Sequence, residues 1–303
     1  MNVVIVTKLP KVDLLTEQEI DRLRSKGLGT NLDQSKEYHD AARSVVNDLM
    51  SEFRFGFFTV FTDEVDVSAQ MLEECDLCIT VGGDGTVLAA QRHLSDQSAM
   101  ITINSDPARS QGYLTEFCYS EDPCEFQYPL YKAIGMYNEY RFDMPDVYMK
   151  SVPRLVVTNE DGWRDWQIPV MNDILFTNSN PAEMSDYLIN CAGRAIGERQ
   201  KSSGVWISTA IGSTGAIHSA GTAPIPIDSP NFLFKVREPY HGKGRLYELE
   251  NWIGEHHELR LTAATNGMTV YVDGSHRQQQ LYVGQTILIR KHKPMTVLLP
   301  VED

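Results

Sequence analysis

No stretch of this sequence approaches the ~18 unbroken apolar residues that a membrane-spanning helix needs. Cysteine is scarce and odd in number, five in 303 residues. A chain of that length buries its own core, so free thiols in a reducing compartment fit better than a disulfide framework. Basic residues are also short, 27 against 41 acidic ones, and no Lys/Arg block offsets the formal charge of −14. That balance argues against nucleic acid and against an anionic membrane surface as partners. Repeats and low-complexity tracts are missing. The opening residues, MNVVIV, carry no basic n-region and no Arg/Ser-rich presequence, so no targeting segment is visible and a cytoplasmic location is expected. Two nucleotide signatures are absent as well, the G-x-x-x-x-G-K-[ST] loop and the H-R-D with D-F-G pair of protein kinases.

What is present is an ordinary globular composition, 42% apolar and 22% charged, in a length that suits two domains. The first ~125 residues alternate strand and helix patterns, which predicts a βαβ layout with a parallel sheet. Val3–Val6, Phe57–Phe61, Leu77–Val81 and Met100–Asn104 read as strands. Thr16 with Glu19 three residues on is a capping box, and Ser35–Phe53 carries one apolar face. Val67–Leu72 reads as a short helix, and another follows Gly82-Gly83-Asp84-Gly85-Thr86 through His93. Gly27-Leu28-Gly29 follows a basic helix end and reads as a linker.

After Tyr137 the helical period fades and short alternating runs take over. Asp161-Gly162 and Asn266-Gly267 are hairpin signals, and Gly284 sits between two further runs. We therefore expect an α/β domain over 1–136 and a mostly β domain, a sandwich, over 137–290 with one helical stretch after Gly212. The strand in 291–303 could return to the first domain or stay in the second.

GGDGT is the strongest chemical signal. Adjacent glycines let backbone approach a ligand, and their N–H groups, with a helix start behind them, make an anion site. A carboxylate there repels phosphate, so Asp84 makes sense as a general base toward a hydroxyl or as a group near a metal. The plainer reading is a tight turn with Asp84 as N-cap. Other candidates are weaker. Cys75-x-x-Cys78 enters an apolar strand and reads as core thiols. Glu255-His256-His257-Glu258 lacks the H-E-x-x-H spacing and reads as a solvated loop. Ser208 and Ser213 have no recognisable triad partners. The four Trp and the Phe55–Phe61 aromatics are most simply core.

GGDGT resembles a motif shared by NAD kinases and by lipid kinases of the diacylglycerol and sphingosine type. Three later segments favour the former. Asn172-Asp173 resembles the NAD kinase Asn-acid motif, Ser203–Thr214 running on to Ser219-Ala220-Gly221 its long glycine/threonine signature, and Tyr271-Val272-Asp273-Gly274 its late V-D-G element. Asn104–Ser110, Glu198–Gly204, Val236–Pro239 and Met295–Leu299 are most similar to the mitochondrial-type, atypical members.

The resemblance implies a two-domain NAD kinase/diacylglycerol kinase-like fold and transfer of the ATP γ-phosphoryl group to the 2′-hydroxyl of the adenosine ribose of NAD. Asp84 would be the base, and Gly82, Gly83, Gly85 and Thr86 would cradle phosphates. Asn172, Asp173, Ser203, Thr209, Thr214, Ser219 and Asp273 would bind the dinucleotide. Mg2+ would come with ATP and not from a protein-built metal site, and a homodimer or higher homo-oligomer is implied. Two positions depart from the usual pattern. Ala216 stands where an aromatic ring stacks on adenine, and Ser203 where many bacterial members carry an acid. A GGDGT kinase for another alcohol, lipid or nucleoside, and a non-catalytic NAD sensor remain as alternatives. Val87-Leu88-Ala89-Ala90 replaces the Asn-Glu pair that follows GGDGT in lipid kinases, and an intact Asp84 argues against a pure sensor.

Overall fold

The chain begins as a strand, β1 (Val3–Thr7), with every residue buried, as a central parallel strand requires. The computed structural model describes residues 1–29, 31–140, 145, 148–160, 166–240, 250–254 and 256–301. Contacts divide the chain into two units, Met1–Ser151 with Met295–Asp303, and Val152–Pro294.

In the first unit β1 is followed by α1 (Glu17–Ser25), α2 (Leu32–Glu52), β2 (Phe57–Phe61), α3 (Ala69–Glu73), β3 (Leu77–Gly82), α4 (Asp84–Ala90), β4 (Ala99–Asn104), β5 (Phe117–Cys118) and α5 (Gln127–Tyr140). Thr16 and Glu19 close the capping box at the start of α1, each bonding the other's backbone N–H. The strand order is β2-β1-β3-β4, and every pair is parallel. One sheet face packs Val3, Ile5, Leu77, Ile79, Ile101 and Ile103 against Ala42, Val46, Leu49 and Met50 of α2 and Leu130, Ala133 and Ile134 of α5. The order of strand addition reverses at β1, with β2 on one side and β3 on the other, and the carboxyl ends of strands at such a switch point are where open α/β sheets bind ligands. The α4 helix ends at Ala90, short of the expected His93.

The second unit is two antiparallel layers. One carries β6 (Met149–Asn159), β7 (Gln167–Val170), β9 (Ser185–Cys191), β10 (Arg194–Ser202), β14 (Leu259–Ala263) and the first part of β17 (Thr286–Leu298). The other runs β13 (Glu250–Ile253), β12 (Phe232–Val236), β11 (Val205–Ser208), β8 (Asp173–Asn178), β15 (Met268–Val272) and β16 (Gln278–Leu281). Inward side chains such as Tyr187, Ile189, Leu261 and Ile287 of the first layer meet Phe176, Ile207, Phe234 and Val270 of the second in one core. The helical stretch after Gly212 is a 3-10 turn, Ile211–Thr214, and a short helix α6 (Ala216–Ser219).

Three expectations need correction. Asn266-Gly267 does not close a hairpin: β14 pairs with β9 and β17, whereas β15 pairs with β8 and β16, so the turn carries the chain from one layer to the other. The runs on either side of Gly284 behave the same way, β16 lying in one layer and β17 in the other. Among the aromatics taken as core, Phe58 is 60% exposed and Trp252 is 57% exposed. Both sit on the last strand of their sheet's path, β2 and β13, with a face turned to solvent. β6 and β7 do pair, Leu155 opposite Val170, but the Asp161-Gly162 turn and Trp163 lie outside the described residues, as does Glu255. Met295–Leu299 lies with the first unit, Thr296 and Val297 pairing parallel with Ala99 and Met100 of β4. Among the described residues no helix is long and apolar enough to cross a membrane.

Candidate active site

The candidate residues fall into two groups, one in each unit. In the first unit the buried strand β3 delivers Gly82 and Gly83 to the carboxyl end of the sheet, and α4 starts at once. Gly82 has to be glycine because the Thr86 side chain occupies the place of its Cβ, with Oγ1 only 2.1 Å from that point. Gly83 is the N-cap, so Asp84 is the first helical residue and not the cap of the plainer reading. Its half-buried carboxylate accepts two backbone hydrogen bonds, from the N–H of Tyr113 at 3.1 Å and of Leu114 at 2.9 Å. These fix the direction of both oxygens while leaving each a free lone pair. In the first helical turn Thr86 N–H donates back to Gly83 O at 2.9 Å, whereas the amides nearest a helix start have no partner four residues back and carry its positive end.

A strap after β4 braces this loop. Ser105 N–H donates to Gly82 O at 2.9 Å, and Asn104 Nδ2 donates to Ser110 O at 3.0 Å. Arg109 pairs with buried Asp106 at 2.7 Å. Lys8, one residue past β1, donates its N–H to Val81 O, immediately before the glycines. Burial lowers its amine, an effect that nearby Asp106 opposes. The sequence reading missed Lys8 because a lone lysine after a strand has no motif. The parallel pairing of β1 and β3 is the signal that places it beside the loop.

In the second unit three separated segments meet at one corner. Asp273, with φ of 49°, turns its carboxylate onto three consecutive amides, those of Met171 at 3.0 Å, Asn172 at 2.7 Å and Asp173 at 3.1 Å. Thr209, just past β11, clamps the same corner, its hydroxyl donating to Met171 O at 2.7 Å. Asn172 Nδ2 donates to Asp173 Oδ2 at 3.2 Å. Asn172, Asp173, Thr209 and Asp273 are therefore one constellation, in which Asp273 and Thr209 hold backbone and Asn172 presents a half-buried amide. Thr214 and Ser219 follow with exposed hydroxyls that donate back to Ile211 O and Gly215 O. Ser203 is apart from them. It lies before β11 while Thr209 lies after it, about 17–20 Å along the strand direction, and its N–H donates to Arg237 O.

Burial, with the nearby Asp273 carboxylate second, pushes the Asp173 carboxyl up to about 7. A folded-state value above the unfolded one of 3.8 costs nothing in acid, and the cost grows as pH rises to the folded value. The full shift corresponds to at most ~4 kcal/mol. Asp173→Asn is expected to stabilise the ligand-free protein over wild type by clearly more at pH 8 than at pH 5. Urea unfolding at both values checks this, and an equal gap at the two pH values contradicts it.

The weaker candidates fall away on geometry. Cys75 and Cys78 are buried, and burial raises both thiols, Cys75 to about 11. Ser208 and Ser213 direct their hydroxyls to backbone carbonyls. Beside Ala216, Ile217 is fully buried against Ala210, Ile225 and Leu233, so it has no face for a base. Trp206 packs on the same cluster and carries the Arg237 guanidinium 5.7 Å from its ring centre.

Comparison with known proteins bears on the whole arrangement. The family described as ATP-NAD kinase N-terminal domain matches residues 11–130. A probable NADH kinase of Oryza sativa subsp. japonica is 28% identical over 260 residues, 76% of this chain and 72% of that protein. The crystal structure of an NAD kinase from Archaeoglobus fulgidus in complex with ATP superposes with a TM-score of 0.64 at 19% identity, covering 99% of this chain and 94% of the other. Yeast NADH kinase complexed with NADH gives 0.60 at 17% identity, covering 100% and 84%. The fold, the glycine loop with its carboxylate and the matched sequence agree: residues 11–130 carry the ATP-NAD kinase N-terminal domain, and the chain as a whole is similar to NAD and NADH kinases.

Proposed function

We propose that the protein transfers the γ-phosphoryl group of Mg–ATP to the 2′-hydroxyl of the adenosine ribose of NAD or NADH. The observation that carries this reading is the Asp84 carboxylate, aimed by two amides at the sheet's switch point and adjoined by a glycine loop. As the ribose oxygen bonds to the γ-phosphorus, its proton passes to Asp84, the bond to the β-phosphate oxygen breaks, and ADP leaves. The loop of Gly82, Gly83, Gly85 and Thr86 cradles phosphate oxygens through backbone N–H groups other than that of Thr86, which Gly83 O already accepts, and Lys8 adds positive charge. Mg2+ would come with ATP, held by its phosphates, and would neutralise charge that develops on them.

In the second unit Asn172 and Asp173 bind polar edges of the dinucleotide, with Asp273 and Thr209 setting their backbone. Thr214 and Ser219 offer hydroxyls to its base ends, and Ser203 belongs to the same reading through the family likeness. Small neutral donors orient such a ligand without adding charge. NADH is included because the rice relative and the yeast neighbour are named for it. A homodimer or higher homo-oligomer is part of the proposal, and light scattering on the eluting protein measures it. NADP or NADPH formation by the purified protein with Mg–ATP tests the reaction. No product from either dinucleotide overturns it.

A further inference from the structure

We propose that His39 is a positioning residue for the glycine loop, holding Gly82 at its height through Ser105. The proposal rests on the reading of Gly82–Thr86 as the phosphate loop. His39 lies on α2 with no exposed surface, on the face whose other members, Ala42, Val46, Leu49 and Met50, are apolar. A leucine would fill that place at no desolvation cost. A buried imidazole is tolerated only where its nitrogens are bonded, and here both are. Nε2 lies 3.0 Å from Thr7 Oγ1 at the end of β1, and Nδ1 lies 3.0 Å from Ser105 Oγ just past β4. Ser105 then passes the constraint on, its N–H donating to Gly82 O at 2.9 Å.

Two glycines in sequence have no side chain to anchor them, so the height of the loop over the sheet depends on backbone partners. From the strap, Ser105 supplies such a partner to Gly82 O. α2 holds the strap a second time: Arg109, already bonded to Asp106, also donates to Gln34 Oε1, and its guanidinium lies 5.9 Å from the Tyr38 ring centre. The first three turns of α2 thus grip the strap at Gln34, Tyr38 and His39, and the strap grips the loop. Burial, then the charges of Lys8 and Arg43, with Asp40 opposing, hold His39 down to about 4. At neutral pH the ring is therefore one donor and one acceptor, which suits a chain of two hydroxyls.

The test separates the two nitrogens. An Asn amide reaches the position of Nδ1, and a Gln amide that of Nε2. His39→Asn keeps the bond to Ser105, whereas His39→Gln keeps only the bond to Thr7. With NADP formation as the assay, His39→Asn is expected to stay within about threefold of wild-type kcat. His39→Gln and His39→Leu are expected to fall about ten- to a hundredfold, the scale of a small misplacement of reacting groups. KM for NAD stays unchanged in all three, because the dinucleotide contacts lie elsewhere.

Ser105→Ala is expected to reproduce the His39→Gln loss, and the double variant to lose no more than either single one. Equal kcat for the Asn and Gln variants at similar melting temperatures, or additive losses in the double variant, overturn the proposal and leave His39 as core. Amide hydrogen exchange across residues 82–86 is read in the same variants without any assay. Faster exchange in Gln than in Asn supports the proposal, and equal exchange refutes it. If wild type makes no NADP, the functional reading fails by itself and the exchange result alone decides the role of His39.

Discussion

Asp84→Asn is expected to lower turnover by at least ~100-fold while NAD still binds. A positioned acid–base group contributes ~10²–10⁴ in rate, and an amide cannot take the hydroxyl proton. The substitution is also gentle on the fold. Asn keeps one oxygen to accept from Tyr113 or Leu114, whose N–H groups lie 3.1 and 2.9 Å from the wild-type carboxylate. Its NH2 then faces the other N–H without an acceptor, at a cost of about 1–3 kcal/mol. Single-turnover formation of NADP, beside a direct NAD titration, separates chemistry from binding. Near-normal turnover in the variant removes Asp84 from the reaction. Lost NAD binding with unchanged single-turnover rate moves it to the binding surface instead.

The second large effect is expected at Gly212. A Cβ there would lie 2.1 Å from Asn172 O, 2.6 Å from its carbonyl carbon and 2.8 Å from Ser208 Oγ. Two of these atoms are backbone and cannot swing away as a flexible side chain would. Gly212→Ala therefore has to push the corner that Asp273 and Thr209 hold from the other sides. Overpacking of this kind costs about 1–3 kcal/mol. The displaced Asn172 and Asp173 are expected to raise KM for NAD about ten- to a hundredfold and to leave KM for ATP nearly unchanged. A folded Gly212→Ala protein with wild-type KM for NAD would contradict the assignment of that corner to the dinucleotide.

The legible parts of this protein were those in which chemistry and conformation are local. Strand, GGDGT and helix follow one another within twenty residues, and each element states its own type through burial, glycine or apolar spacing. The Thr16–Glu19 box is equally self-contained. Asn266-Gly267 was legible as a turn, but nothing in a turn says which sheet the next strand enters. Only the pairing of β15 with β8 settles that, and it depends on residues some ninety positions away. Helix α5 went unread because Pro129 and Gly135 interrupt a segment crowded with tyrosine, so its pattern is weak although its buried face is continuous. In the site, Asp273 showed as an acid before a glycine, yet its three amide partners lie about a hundred residues upstream. His39 and Lys8 carry no motif at all, and their meaning comes from what packs beside them.

Strand β17 has a consequence for how this protein is made. Its early residues pair within the second unit, and Thr296 and Val297 complete the sheet of the first unit beside β4. A ribosome that has released residues 1–151 has therefore delivered every catalytic candidate of the first unit, but not the strand that flanks β4. Until Thr296 and Val297 emerge, β4 presents at Ala99 and Met100 an unpaired stretch of a buried, apolar strand, the kind of edge on which nascent chains associate. The second unit must be synthesised, and its layers must form, while that edge waits. A fragment ending near Ser151 inherits the same open edge permanently. Thr296 and Val297 thus act as a closing stitch, and their arrival, after the whole second unit, marks the point at which β4 gains its outer partner.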